Sequence, residues 1–117
     1  MTNNRETGSR YEEKAREFLE NQGFTILEKN FRTRLGEIDL IGREEEYLVF
    51  IEVKHRKNAS YGLPEEAVNF RKQRRICRVS DVYRMKHRLG EVPVRFDVVA
   101  DLNGEMELFR NAFSYIP

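Results

Sequence analysis

Apolar side chains early in the chain recur every three or four residues: Tyr11, Ala15, Phe18 and Leu19 share one face with Gln22. That spacing predicts a helix over about 9–22, with Ser9 placed to cap its start and Gly23 supplying a left-handed stop. Ahead of it, residues 1–7 carry no pattern and are expected to be a flexible N-terminus. Period two then takes over. Phe24 to Leu27 reads as a short strand with an irregular continuation around Phe31, broken by Glu28-Lys29-Asn30. Glu37-Ile38-Asp39-Leu40-Ile41 alternates charged and apolar positions, a polar turn follows from Gly42 to Glu46, and Tyr47 to Lys54 completes a hairpin. The second strand is almost continuously apolar until Glu52, as in a central strand covered on both faces. After a loop from His55 to Leu63, Pro64 suits the first turn of a helix carrying Ala67, Val68, Ile76, Val79, Val82 and Tyr83 inward. Pro93 opens a strand from Val94 to Leu102, and Asn103-Gly104 turns it into Glu105 to Phe109. The order α, β, β, β, α, β, β predicts an α/β sandwich with a mixed sheet.

No repeat, low-complexity tract or linker divides the sequence, so residues 8–117 are expected to form a single domain. At 117 residues and 39% hydrophobic composition, one core is what the chain can build. Cys77 is alone, which excludes an intrachain disulfide and a cysteine-rich zinc site and suits a reducing compartment. Nowhere does an apolar run approach the roughly 20 residues of a membrane span, and Met1 to Arg10 has no apolar stretch, so a cytoplasmic protein is expected. Net charge is only +1 but unevenly spread. Residues 1–53 hold 8 Lys and Arg against 12 Asp and Glu, residues 54–88 hold 11 against 3, and residues 89–117 hold 2 against 5. A basic middle between acidic ends fits one surface that meets a polyanion and another that gathers carboxylates, or simply a solvated helix face.

Strand geometry puts Glu52 and Lys54 on one face about 7 Å apart, with Val53 turned to the other. Asp39 lies on the neighbouring strand and opposes Glu52 if the register is level. Two carboxylates in an apolar sheet repel and lose hydration, so they need a counter-charge beyond the one Lys54 supplies. A hard divalent ion such as Mg²⁺ or Mn²⁺, bound through oxygen, would provide it. The competing reading is a cross-strand ion pair. Glu12 borders the apolar face of the first helix and is a fourth candidate, although Ser9-Arg10-Tyr11-Glu12 also has capping-box spacing.

Gly36-Glu37-Ile38-Asp39-Leu40-Ile41, Phe50-Ile51-Glu52-Val53-Lys54-His55-Arg56 and Arg95-Phe96-Asp97-Val98-Val99, with Gly8 and Glu12 ahead of Ala15, resemble the small bacterial YraN family over residues 8–113. That family is grouped with the PD-(D/E)xK nuclease superfamily, which includes restriction enzymes and Holliday junction resolvases. The resemblance implies a restriction endonuclease-like sandwich and a metal-dependent endonuclease acting on DNA, with branched or otherwise structured DNA among the candidate substrates and Asp39, Glu52 and Lys54 as the catalytic core. It places Glu12 with them, and adds the Val53 carbonyl to Asp39 and Glu52 as metal ligands. Ile38 stands where the motif has Pro, and Gln73 is followed four places on by Cys77, so the Gln-x-x-x-Tyr pattern of one nuclease branch is absent.

Arg71, Lys72, Arg74, Arg75 and Arg78 form a cationic block, flanked in sequence by Arg32, Arg34, Arg56 and Lys57; such groups grip phosphates without reading sequence. His55 and His87 read most simply as surface residues, and Cys77 as an inert core thiol. Phe70 and Tyr61 are as well explained by local packing as by stacking on bases. A homodimer is expected by analogy with small nucleases of this kind. The rival to an enzyme is a non-catalytic nucleic-acid-binding module acting through partner proteins.

Overall fold

The structure is a computed structural model that describes residues 4–56 and 68–117, with side chains from Arg10 onward. Its elements are α1 (Asn4–Asn21), β1 (Thr25–Thr33), β2 (Gly36–Glu44), β3 (Tyr47–Arg56), α2 (Phe70–Lys86), β4 (Val94–Leu102) and β5 (Glu105–Phe113). Five strands form one sheet in sequence order. Every neighbouring pair is antiparallel except β3 and β4, which run parallel from Leu48↔Val94 to Arg56↔Leu102. The sheet is therefore mixed and β3 is its central strand, as the apolar run predicts.

Helix α1 begins at Asn4, so residues 4–7 belong to it and Ser9 lies inside it, unable to serve as its cap. The helix ends as expected. Gly23 adopts φ 103° while its N–H bonds the Glu20 carbonyl and the Phe24 N–H returns to the Leu19 carbonyl, closing a Schellman motif with Phe24 and Leu19 both in the core. Strand β1 is unbroken, because the polar stretch is absorbed by a bulge between Ile26 and Glu28 that leaves Leu27 exposed. Gly42 belongs to β2 and not to a turn: a Cβ there would lie 3.0 Å from the Thr25 carbonyl, so a larger residue would push the bulged strand back by a few tenths of an ångström. The turn contracts to Glu45-Glu46. Asn103 (φ 52°) and Gly104 (φ 98°) form the anticipated two-residue turn, and β5 runs four residues past Phe109.

Helix α2 is capped by Asn69, whose side chain accepts the Lys72 N–H at 2.9 Å. Val68 is buried just ahead of the helix and not within it, while Pro64 and Ala67 lie outside the described residues. The helices cover opposite sides of the sheet. Ala15 and Leu19 of α1 pack with Leu40, Val49, Ile51 and Val99. On the other side, Ile76, Val79 and Tyr83 of α2 pack with Phe31, Phe50, Phe96 and Val98. Among the described residues, no helix is long and apolar enough to cross a membrane.

Candidate functional site

The ladder between β2 and β3 ends at Leu40↔Ile51, one step before Asp39 and Glu52 would pair. Leu40 packs on the α1 side while Ile38, two residues away, packs on the α2 side, so alternation breaks at Asp39. Opposite it in β1, Asn30 takes a left-handed φ of 53°. With the ladder open, the Asp39 carboxylate replaces the missing strand partner: its Oδ2 accepts the Val53 N–H at 2.8 Å. The N–H and C=O of one strand residue project to the same side, so the Val53 carbonyl faces this gap as well.

Strand alternation sends Glu52 and Lys54 toward α2, on the side of Phe50. Glu52 is nearly buried, its side chain 8% exposed, and its Oε1 lies 3.8 Å from Lys54 Nζ and 2.7 Å from Lys72 Nζ. Burial first, then repulsion from Glu52, pushes the Asp39 carboxyl up to about 7 against the opposing effect of the Val53 N–H; Glu12 adds to the rise. Burial, then the neighbouring Lys72, brings Lys54 down to about 8. Lys72 resists its own burial because its bond to Glu52 holds its charge above the ordinary range. The sequence-predicted triad is thus brought together, with one cation more than expected.

Glu12 is half-buried on α1 and lines an open groove with Arg10, Glu13, Lys29 and Asn30. Since Ser9 sits within the helix, a capping box does not explain Glu12. Its charge reaches Asp39, which places it at the rim of the same site. Among the described residues, no three His, Cys, Asp or Glu side chains gather closely enough to hold a metal by themselves. What is present is oxygen-only: two carboxylates and a backbone carbonyl, a donor set that suits a hard ion completed by water. Repulsion between Asp39 and Glu52 would be relieved by a divalent charge, so the residues fit such an ion, with Lys72 already occupying one oxygen of Glu52.

The basic residues do not act as one block. Arg71, Arg74 and Arg75 are exposed along α2, and the Arg75 stem lies against Gly36, within 2.8 Å of where a Cβ would be. Arg34 is exposed at the β1–β2 turn, whereas Arg32 is bonded to Glu37 at 2.8 Å. Arg56 is half-buried and donates to the His55 carbonyl. Arg78 is tied to Asp81, the Tyr115 hydroxyl and the Ile116 carbonyl. Lys72 departs from expectation by turning into the acidic site. Lys57 and Tyr61 lie outside the described residues. Phe70 is 65% exposed at the start of α2. Gln73 donates to the Val68 carbonyl at 2.8 Å and so braces the entry to α2. Cys77 is fully buried, as expected of a core thiol.

Sequence reasoning missed two constellations. His55 is no plain surface residue: its ring stacks on Tyr11 at 3.9 Å, and its Nδ1 lies 3.3 Å from Oδ2 of the fully buried Asp101. That joins α1, one residue before Glu12, to β3, one residue after Lys54. Asp97, also fully buried, takes both Nε and Nη2 of Arg95, which bonds Glu44 as well. Acids within the apolar β4 strand were the available signal for both.

A family model described as "Uncharacterised protein family UPF0102" matches residues 11–100. A UPF0102 protein of Lachnoclostridium phytofermentans is 48% identical over 112 residues, covering 95% of each chain. One of Acetivibrio thermocellus is 46% identical over 121 residues, covering 95% of this chain and 93% of that one. A third, UPF0102 protein HRM2_30940 of Desulforapulum autotrophicum, is 50% identical over 106 residues and covers 87% and 88% of the two chains.

Proposed function

The chain belongs to the UPF0102 family, and we propose that it is a metal-dependent endonuclease that hydrolyses phosphodiester bonds in DNA, built on a restriction endonuclease-like sandwich. The observation that carries this reading is the convergence of Asp39, Glu52 and Lys54 where β2 and β3 part, with the Val53 backbone turned into the same gap. The motif resemblance of these segments to YraN-like proteins of the PD-(D/E)xK superfamily supports it. Asp39, Glu52 and the Val53 carbonyl would hold the ion, with Glu12 reaching it from α1 through water. When bound, Mg²⁺ or Mn²⁺ supplies positive charge to the phosphate and lowers the pKa of the attacking water.

The protein's own groups do the rest. Lys54, partly buried and brought down to about 8, orients the attacking water and contacts a phosphate oxygen, and it exchanges a proton more readily than an ordinary lysine. Arg71, Arg74, Arg75 and Arg34 grip flanking phosphates from the α2 side, where Glu52 and Lys54 also face. Plasmid and branched DNA should be nicked with Mg²⁺ or Mn²⁺ and left intact after Asp39→Ala; cleavage that persists in that variant sinks the reading. A second reading, a nucleic-acid-binding module without catalysis, is favoured by the Lys72 bond to Glu52, which already balances one carboxylate. DNA retention that survives Asp39→Ala, with no cleavage by wild type under any metal, selects it.

A further inference from the structure

Lys72 occupies a place that helix physics disfavours. It is the third residue after the Asn69 cap, in the first turn of α2, where no acidic residue sits and where the helix dipole opposes a cation. Its neighbours Arg71, Arg74 and Arg75 face solvent, yet its own ammonium turns inward to Glu52 at 2.7 Å. Glu52 is nearly buried and Lys54 stands farther off, at 3.8 Å, so Lys72 is its closest cation among the described residues. The backbone of Lys72 is fixed by the Asn69 cap at 2.9 Å, which holds the root of this side chain against the site.

Resting on the metal-dependent reading above, we infer that Lys72 is a resident counter-cation of Glu52, competing with the divalent ion for that carboxylate and thereby setting the affinity with which the site is loaded. A charge-assisted bond to a buried carboxylate must be given up, or its carboxylate shared, when a divalent ion arrives. Removing the ammonium leaves Glu52 with Lys54, at 3.8 Å, as its remaining cation among the described residues, which strengthens the demand of Asp39 and Glu52 for a dication. Lys72 is thus a positioning residue: without an ion it keeps Glu52 ordered, and it makes loading depend on metal concentration.

The test is calorimetric titration of the whole chain with MgCl₂ and MnCl₂ at mildly alkaline pH, with no DNA present. Lys72→Met should bind the ion about tenfold more tightly than wild type, the size expected for relief from one charge-assisted bond. Lys72→Arg, which keeps a cation on Glu52, should stay near wild type, and Glu52→Gln should lose binding. Tight binding by Lys72→Met when wild type binds too weakly to detect supports the inference as well. If wild type binds the ion and Lys72→Met binds equally or more weakly, the inference fails while the metal-dependent reading stands. If neither binds, both fall. Circular dichroism checks the fold of each variant, and Lys72→Gln replaces Lys72→Met should the latter misfold.

Discussion

Strand β2 carries Asp39 in its first half and Glu44 at its end, and these two carboxylates have opposite fates. Glu44 meets Arg95 and Arg110 at 2.6–2.9 Å, and Arg95 also makes a two-pronged contact with the buried Asp97, whose Oδ1 takes the Asn111 N–H besides. Two carboxylates face two guanidiniums, and the Arg110 and Arg95 bonds hold Glu44 down to about 2. Five residues earlier, Asp39 has one backbone N–H for a partner, faces Glu52 and is pushed up to about 7. Both regions are charge clusters in an apolar sheet. One is self-balanced, each carboxylate bonded by a guanidinium, and fit to hold strands together; in the other both lysines gather on Glu52 and, among the described residues, Asp39 bonds no cation, which leaves it fit to take a ligand.

Disabling each cluster in turn should separate those roles. Asp39→Asn is expected to lower metal-dependent DNA cleavage by about 10³-fold, and the metal-free variant should melt no lower than wild type; a large loss of stability would make the site structural. Arg95→Ala should do the reverse, destabilising the fold by about 3 kcal/mol because Asp97 is left buried without its partner. Chemical denaturation reads this, and a change under about 1 kcal/mol would break the contrast.

Acid titration of metal-free protein sharpens the comparison, since the two acids give slopes of opposite sign. Folded Glu44 titrates near 2 against 4.5 when unfolded, so its contribution is present above 4.5 and is lost as pH falls toward 2. Folded Asp39 keeps its proton to about 7 against 3.8 when unfolded, so it lowers stability as pH rises through that window. The stability change across each window should be about 2–4 kcal/mol, at about 1.4 kcal/mol for each pH unit between the folded and unfolded values and less where solvent screens the group. Glu44→Gln should flatten only the acid limb and Asp39→Asn only the neutral one, as followed by melting temperature across pH. The smallest effect is expected from His55→Ala, which unstacks Tyr11 and takes one partner from the buried Asp101, whose Oδ1 keeps the Gly104 N–H: about 1–2 kcal/mol in stability, with a larger proportional fall in cleavage because α1 carries Glu12. Equal losses in both would assign His55 to packing alone.

Periodicity made much of this fold legible. The apolar run of β3, the three-and-four spacing of α1 with its Gly23 stop, and Asn103-Gly104 each express a local rule that tertiary structure did not override. β1 was less legible, since a bulge accommodates Leu27 within a continuous strand whose polar residues suggest an interruption. Asp39, Glu52 and Lys54 could be grouped from strand parity and the hairpin. Lys72 shares the inward stripe of α2, four, seven and eleven residues before Ile76, Val79 and Tyr83, but the cations around it in sequence mask that signal. An acid in an apolar strand is a weak sign by itself. Asp97 and Asp101 show it as clearly as Asp39, and only their partners tell the cases apart, Arg110 lying 66 residues from Glu44.

The parallel pairing of β3 with β4 has a consequence for the birth of the protein. A hairpin can join β2 to β3 as soon as both have left the ribosome, but the other edge of β3 waits for the whole crossover and β4, up to Leu102. Until then Leu48 to Ile51 is an uncovered, strongly apolar ribbon with a free row of backbone donors and acceptors. Nascent chains stalled before Val94 should therefore be the aggregation-prone species, and the strand that bears Glu52 and Lys54 the segment most in need of a chaperone's protection.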